Sequence, residues 1–314
     1  MSSSKLSVGI VGLPNVGKST LFNALAQRRL AETAARPFTT IDPHEAVVAV
    51  QDDDLVKLSK LVNPDDTVSA TVTFVDIAGL VKGANEGEGL GNQFLAKIRE
   101  VDAIIHVVRA FYDPQVVHTD SDFEPGSLEQ IMDDIEIINI ELELGEIQKR
   151  PTIIVLNVGE DDINSDETKG KIIAVTEKFK VDTMAVSAKI EEELIDFNES
   201  DKKEYLSQLG IQETGLERLI GIAYRMLDLI TFYTVKGGSE VHAWSIERGS
   251  SVLTAAEKVH TDFAQGFIMS EVINVTELLD SGGWKSAKEK GKIRFEGKDY
   301  LVQDNDVIEF KYNT

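Results

Sequence analysis

The residues Gly12-Leu-Pro-Asn15-Val16-Gly17-Lys18-Ser19-Thr20 have the types and spacing to hold a phosphate chain. They fit G-x-x-x-x-G-K-[ST], in which a glycine-bounded loop wraps phosphates with backbone N–H groups. At the opening of a helix, those donors and the helix dipole both favour an anion. Lys18 is placed to reach the β- and γ-phosphates, and the Ser19 hydroxyl is placed to bind Mg2+. The motif requires a strand before it and a helix after it. Leu6-Ser-Val-Gly-Ile-Val11 is apolar and β-branched, and Leu21, Phe22 and Leu25 follow at helical spacing. The stretch therefore reads as a nucleotide phosphate site rather than as an ordinary strand-to-helix turn.

Further groups fall where such a site needs them. Thr71-Val-Thr-Phe-Val-Asp76 reads as a strand running into Ile77-Ala78-Gly79. This D-x-x-G suits a water-mediated metal contact from Asp76 and a Gly79 amide against the γ-phosphate. The polar, proline-bracketed loop Arg36–Pro43 offers Thr40 as a second Mg2+ ligand, with Thr39 as the alternative. The run Gly83–Gly91 carries glycines outside any element, as a segment that orders on a γ-phosphate would. His118, in the polar loop Asp113–Asp120, has an imidazole that can hold an attacking water. The same residues read equally as a surface histidine among carboxylates. His106, in the apolar run Ala103–Val108, reads as a core histidine.

The elements that must position these groups alternate between strand and helix. After the first helix come strands His44–Val50, Thr71–Asp76, Ala103–Val108, Pro151–Leu156 and Thr183–Val186. Residues 128–149 form a helical stretch with Ile131, Ile135, Ile138, Leu142 and Ile147 on one face. Every loop of interest follows a strand's C-terminal end, which predicts an α/β, doubly wound parallel sheet. Past the helix ending near Asp228 the pattern becomes α+β, with strands Glu240–Trp244, Lys292–Phe295 and Val307–Tyr312 and a helix from Ser251 to Phe263. Two domains are expected, 1–228 and 229–314. Within the second, Lys285, Lys288, Lys290, Lys292, Arg294 and Lys298 make a locally basic stretch.

Composition narrows the function. The net charge of −22 over 314 residues argues against general electrostatic binding of DNA. The chain has no cysteine, which excludes disulfides, thiolate chemistry and cysteine metal sites. No stretch approaches the roughly 20 apolar residues of a membrane span. The first apolar run feeds the phosphate loop, so it is not a removable signal peptide. A cytoplasmic protein is expected.

With these motifs in place, the chain resembles the YchF/Obg-like ATPase family, within the Obg-related translation-factor GTPases. The matching stretches are Gly12–Thr20, Pro37–Ile41, Asp76–Leu95, Asp133–Asn139 and Asn157–Glu160. In the C-terminal part, His260–Ile268 and Gly297–Tyr300 resemble the family's TGS domain, a ubiquitin-like β-grasp module. The resemblance implies a P-loop NTPase with a helical insertion, ATP as substrate with GTP weaker, Mg2+, and a regulatory role coupled to ribosomes. It implies a catalytic role for His118, and K+ near Asn15, although Asn15 could equally bond its own loop. Members carry a long helical hairpin before the strand at Pro151. Here residues 128–150 leave room for one helix, which reads as a shortened insertion or as a segment omitted near 146–149. A short crossover is topologically acceptable.

Guanine-specific relatives use Asn-Lys-x-Asp, whose carboxylate accepts two hydrogen bonds from the base. Here the strand end carries Asn157-Val158-Gly159-Glu160, and Ser187-Ala188-Lys189 follows the next strand. Losing a bidentate pair costs on the order of 10²–10⁴ in discrimination. Adenine's N6 amine could be met by Asn157 or by a backbone carbonyl. Leu80 stands where Ras-like enzymes place a water-orienting glutamine, so slow hydrolysis by another group is expected. Two rivals stay open: a GTP-specific Obg-type GTPase, and a nucleotide-gated binding module with incidental turnover.

Overall fold

The computed structural model describes residues 6–33, 44–77, 90–116, 123–144, 147 and 149–313. Thr39, Thr40, Gly79, Leu80 and His118 lie outside the described residues. The strands, in chain order, are β1 (Ser7–Val11), β2 (Glu45–Ala49), β3 (Asp66–Val68), β4 (Thr71–Asp76), β5 (Ala103–Arg109) and β6 (Thr152–Asn157). They continue with β7 (Thr183–Val186), β8 (Leu229–Lys236), β9 (Glu240–Glu247), β10 (Phe267–Asn274), β11 (Arg294–Glu296) and β12 (Asp306–Tyr312). Two six-stranded sheets result, ordered β2-β4-β1-β5-β6-β7 and β11-β10-β12-β8-β9-β3.

In the first sheet β1 lies between β4 and β5, parallel to both, and β5–β6 and β6–β7 are parallel as well. Every residue of β1 and β5 is buried, as expected of strands covered by helices on both faces. Helices Leu128–Leu144 and Asp166–Phe179 pack Ile131, Ile135 and Val175 against Val108, Ile154 and Leu156. The chain runs to β4 on one side of β1 and to β5 on the other. That reversal opens a crevice at β1's carboxyl end, where ligands of such sheets bind. The insertion helix stops at Leu144 instead of reaching 149, and the Ile147 amide folds back on the Leu142 carbonyl. One helix therefore spans the described residues between 128 and 144.

The chain packs as two compact units, residues 1–48 with 72–227 and residues 49–71 with 228–314. Assigning all of 1–228 to one domain misses the crossing of residues 49–71. Its cause lies in side chains: Asp52 caps helix Asp53–Val62 and accepts a 2.8 Å bond from the Tyr233 hydroxyl on β8. Leu55 and Leu58 of that helix join Tyr233, Val241 and Ala243 in one core. β3 then adds to β9 as a parallel edge strand.

In this second sheet the β8–β9 hairpin is antiparallel, and β8 pairs in parallel with the late strand β12. That mixed order is the β-grasp arrangement. Alternating residues of β8 feed opposite faces: Tyr233 joins one core, and Ile230 and Phe232 join another beneath helix Val252–Val259. The single helix expected from Ser251 to Phe263 is two helices, Val252–Val259 and Thr261–Gln265. His260 separates them with extended backbone, and its ring nitrogen accepts the Asp262 amide. Half of the basic stretch is engaged inside the unit. Lys288 pairs with buried Glu271 at 2.8 Å, Lys290 donates to the Ser281 carbonyl, and Arg294 reaches buried Asp306.

Candidate nucleotide-binding site

The two fixed glycines of the phosphate loop are required by close approach. A Cβ at Gly12 would lie 2.3 Å from the Val107 carbonyl oxygen of the neighbouring β5. At Gly17, where φ is +96°, it would lie 2.2 Å from Asn157 Nδ2. Asn15 takes a left-handed φ of 62°, which asparagine tolerates better than most residues. Helix Lys18–Thr33 then begins, and the Leu21 amide bonds the Gly17 carbonyl at 3.0 Å. The Lys18 side chain is buried and its ammonium donates to the Leu13 carbonyl at 2.6 Å. Burial lowers its pKa to about 8, against the opposing pull of Asp76. A desolvated cation beside a helix N-terminus can recover lost solvation from an anion.

The cleft over this loop has a volume of about 650 Å³. That lies within the roughly 300–1,000 Å³ of small-molecule sites. Its walls are the phosphate loop, the Phe111–Val116 segment leaving β5, Asn157–Glu160 leaving β6, and Ala188–Lys189 beyond β7. Asn15, Gly17, Lys18, Ser19, Thr20, Asn157, Val158, Glu160 and Ala188 are thus brought together. Val16 contributes through its backbone, since its side chain is buried and its carbonyl accepts from Asn157. Ser187 is buried as the N-cap of helix Ala188–Glu193 and accepts from the Ile190 amide. It supports the site rather than lining it. Asp76 ends β4, and its charge acts on Lys18.

Asn157 has another task than reading a base. Its Nδ2 donates to the Val16 carbonyl at 2.9 Å and its Oδ1 accepts from the Ala188 amide at 3.0 Å. One side chain thereby ties three loops together. Asn157→Ala should cost about 2 kcal/mol in urea unfolding, because a buried acceptor and a buried donor lose their partner. A loss under 0.5 kcal/mol would show that these bonds are readily replaced. The carboxylate on the Asn157–Glu160 wall of the cleft is Glu160, whose Oε2 pairs with Lys189 Nζ at 3.1 Å. Its Oε1 is buried and has no hydrogen-bond partner among the described residues.

The sequence marks Asp113–Asp120 only as the loop bearing His118; Phe111 and Tyr112, which begin the Phe111–Val116 wall, are not marked by it. Their position after a buried strand of a parallel sheet was the available signal, since ligands sit at those strand ends. His106 is buried, as its apolar setting predicts, and burial first, then the Lys18 charge, lowers its pKa to about 3. Between pH 6.5 and about 3 the unfolded chain takes up a proton that the folded chain refuses, so stability is lost as the pH is lowered through that window. The slope from this group reaches about 1.4 kcal/mol per pH unit inside that window. His106→Leu should flatten the urea-unfolding profile below pH 6.5 by that amount, and an unchanged slope would assign the loss elsewhere.

Residues 7–158 match the profile described as a 50S ribosome-binding GTPase. Residues 229–313 match the YchF-GTPase C-terminal profile, described as a protein of unknown function. The ribosome-binding ATPase YchF of Bacillus subtilis (strain 168) is 40% identical, with 98% of this chain and 99% of that protein covered. The chain belongs to the YchF family. The Escherichia coli O157:H7 YchF, also named a ribosome-binding ATPase, is 37% identical over 97% of this chain and 98% of its own. The YchF GTPase structure from Schizosaccharomyces pombe superposes with a TM-score of 0.82 at 29% identity, covering 99% of each chain. The Bacillus YchF alignment spans 371 positions against 314 residues here, so that YchF carries dozens of residues without a counterpart in this chain.

Proposed function

We propose that this chain is a Mg2+-dependent P-loop NTPase that hydrolyses ATP in preference to GTP and acts as a ribosome-associated switch in the cytoplasm. The observation that carries the base preference is the Glu160–Lys189 pair. In guanine readers a free carboxylate accepts two donors from the base; here one oxygen is held by an ammonium. The remaining buried acceptor, Oε1, suits a single donor such as adenine's N6 amine. The names of the Bacillus and Escherichia relatives support both the ATPase and the ribosome-binding parts of the reading.

In this reading the loop amides and Lys18 hold the β- and γ-phosphates. The Ser19 hydroxyl and the Asp76 carboxylate are hard oxygen donors that fit Mg2+, with Thr40 as a further ligand. Mg2+ would neutralise charge on the phosphate oxygens. His118, as a neutral imidazole, accepts a hydrogen bond from the attacking water. The water oxygen bonds the γ-phosphorus and gives up a proton to the transferred phosphate's oxygens, and the bond to the β–γ bridging oxygen breaks to release ADP and phosphate. Gly79 would add an amide to the γ-phosphate, and K+ beside Asn15 would take the place of an arginine finger. Chelation of Mg2+ by EDTA is expected to abolish ATP hydrolysis; turnover unchanged by EDTA would contradict the metal assignment.

The second unit is read as a TGS docking module. Lys285, Lys292 and Lys298 are exposed, whereas Lys288 is committed to Glu271. Charge reversal at those three lysines should weaken co-sedimentation with ribosomes and flatten its salt dependence. Wild-type co-sedimentation in that variant would remove the basic stretch from the interface.

A further inference from the structure

Among the described residues, Arg109 is the largest fully buried side chain, at 0% exposure. A guanidinium in that setting is costly unless its donors are met, and an apolar residue would fill the space at lower cost. Three of its five donors go to carbonyls of one segment: Nε to Phe111 at 3.1 Å, Nη2 to Asp113 at 3.1 Å and Nη1 to Val116 at 2.9 Å. The guanidinium carbon also sits 4.7 Å from the centre of the Phe111 ring. These carbonyls belong to the wall of the cleft over the phosphate loop.

A second buried side chain closes the other end of the same connection. Gln130, on helix Leu128–Leu144, donates to the Arg109 carbonyl at 3.2 Å and to the buried Asp134 carboxylate. Its Oε1 accepts the Gly126 amide at 2.7 Å. Gly126 has a φ of +86°, and a Cβ there would lie 3.2 Å from the Phe111 carbonyl carbon. Both ends of the chain between β5 and the helix are thereby pinned together, with Asp113 first and then Asp134 offsetting the arginine's charge.

We propose that Arg109 is a positioning residue for the nucleotide cleft, fixing the Phe111–Val116 wall, and that Gln130 ties that wall to helix Leu128–Leu144. The proposal rests on the reading of this cleft as the nucleotide site. Arg109→Lys keeps the charge and loses the three-way fork; Gln130→Met keeps the volume and loses the tie. Each is expected to raise the Kd for Mg-ATP at least tenfold. The double variant should bind within about twofold of the weaker single, because both act through one wall. Lys178→Met, which removes an exposed pair with Glu136 on the same helix, serves as the control. In the wild-type chain, Mg-ATP should slow amide hydrogen exchange at 111–116 and at 126–130 together.

A merely structural role would lower Tm and leave the Kd of the folded protein unchanged. Variants binding Mg-ATP within twofold of wild type would overturn the proposal, as would ATP-induced protection that omits 111–116 and 126–130. If Arg109→Lys does not fold, Gln130→Met and the wild-type exchange data decide. A wild-type protein that binds no nucleotide at all would instead defeat the site assignment itself.

Discussion

His118→Ala is expected to lower kcat for ATP by about 10²–10⁴, the usual worth of a positioned acid–base or water-orienting group. Nucleotide affinity should change less than threefold, because phosphate and base contacts come from other residues. The chain has no glutamine after Gly79 to share the task; Leu80 offers no hydrogen bond to water. The measurement is single-turnover hydrolysis beside equilibrium binding of ATP. A kcat within threefold of wild type would assign the water to another group. If turnover is lost while ribosome association and its nucleotide dependence persist, occupancy rather than hydrolysis is the output.

Gly17→Ala should remove nucleotide binding and destabilise the nucleotide-binding unit by about 3 kcal/mol. Two effects add. The backbone sits at φ +96°, where a Cβ is strained by about 1–2 kcal/mol. The new methyl would also lie 2.2 Å from Asn157 Nδ2, and Asn157 cannot swing away without surrendering its bonds to Val16 and Ala188. Losing those bonds adds about 1–3 kcal/mol. Gly238→Ala supplies the contrast: φ is +80°, but nothing lies within 4 Å, so only the backbone cost of about 1 kcal/mol remains. Urea unfolding of the two variants separates steric from conformational cost. Equal losses would mean that Asn157 yields freely.

Much of this was legible in the sequence, for reasons that differ by element. The phosphate loop and the strands around it were readable because buried parallel strands are continuous apolar runs and the loop needs fixed glycines. The crossing of residues 49–71 was not readable. It depends on Asp52 and Tyr233, 181 positions apart, finding each other. Asn157 was legible as the residue ending its strand but not as the tie between loops, since its two amide bonds go to loops distant in the chain. Arg109 gave no signal at all: an arginine closing an apolar strand reads as a solvated end, whereas here it is fully buried. The break at His260 was hidden because residues on both sides keep helical spacing.

The measurement that tests the central claim most directly is competition between ATP and GTP for the nucleotide-free protein in Mg2+. The Glu160–Lys189 pair predicts a preference for ATP of tenfold or more, about 1.4 kcal/mol. Glu160→Gln, which breaks the pair, should alter that ratio more than it alters the affinity for ADP relative to ATP. A clear preference for GTP would contradict the account, because it would require the paired carboxylate to read the guanine edge after all.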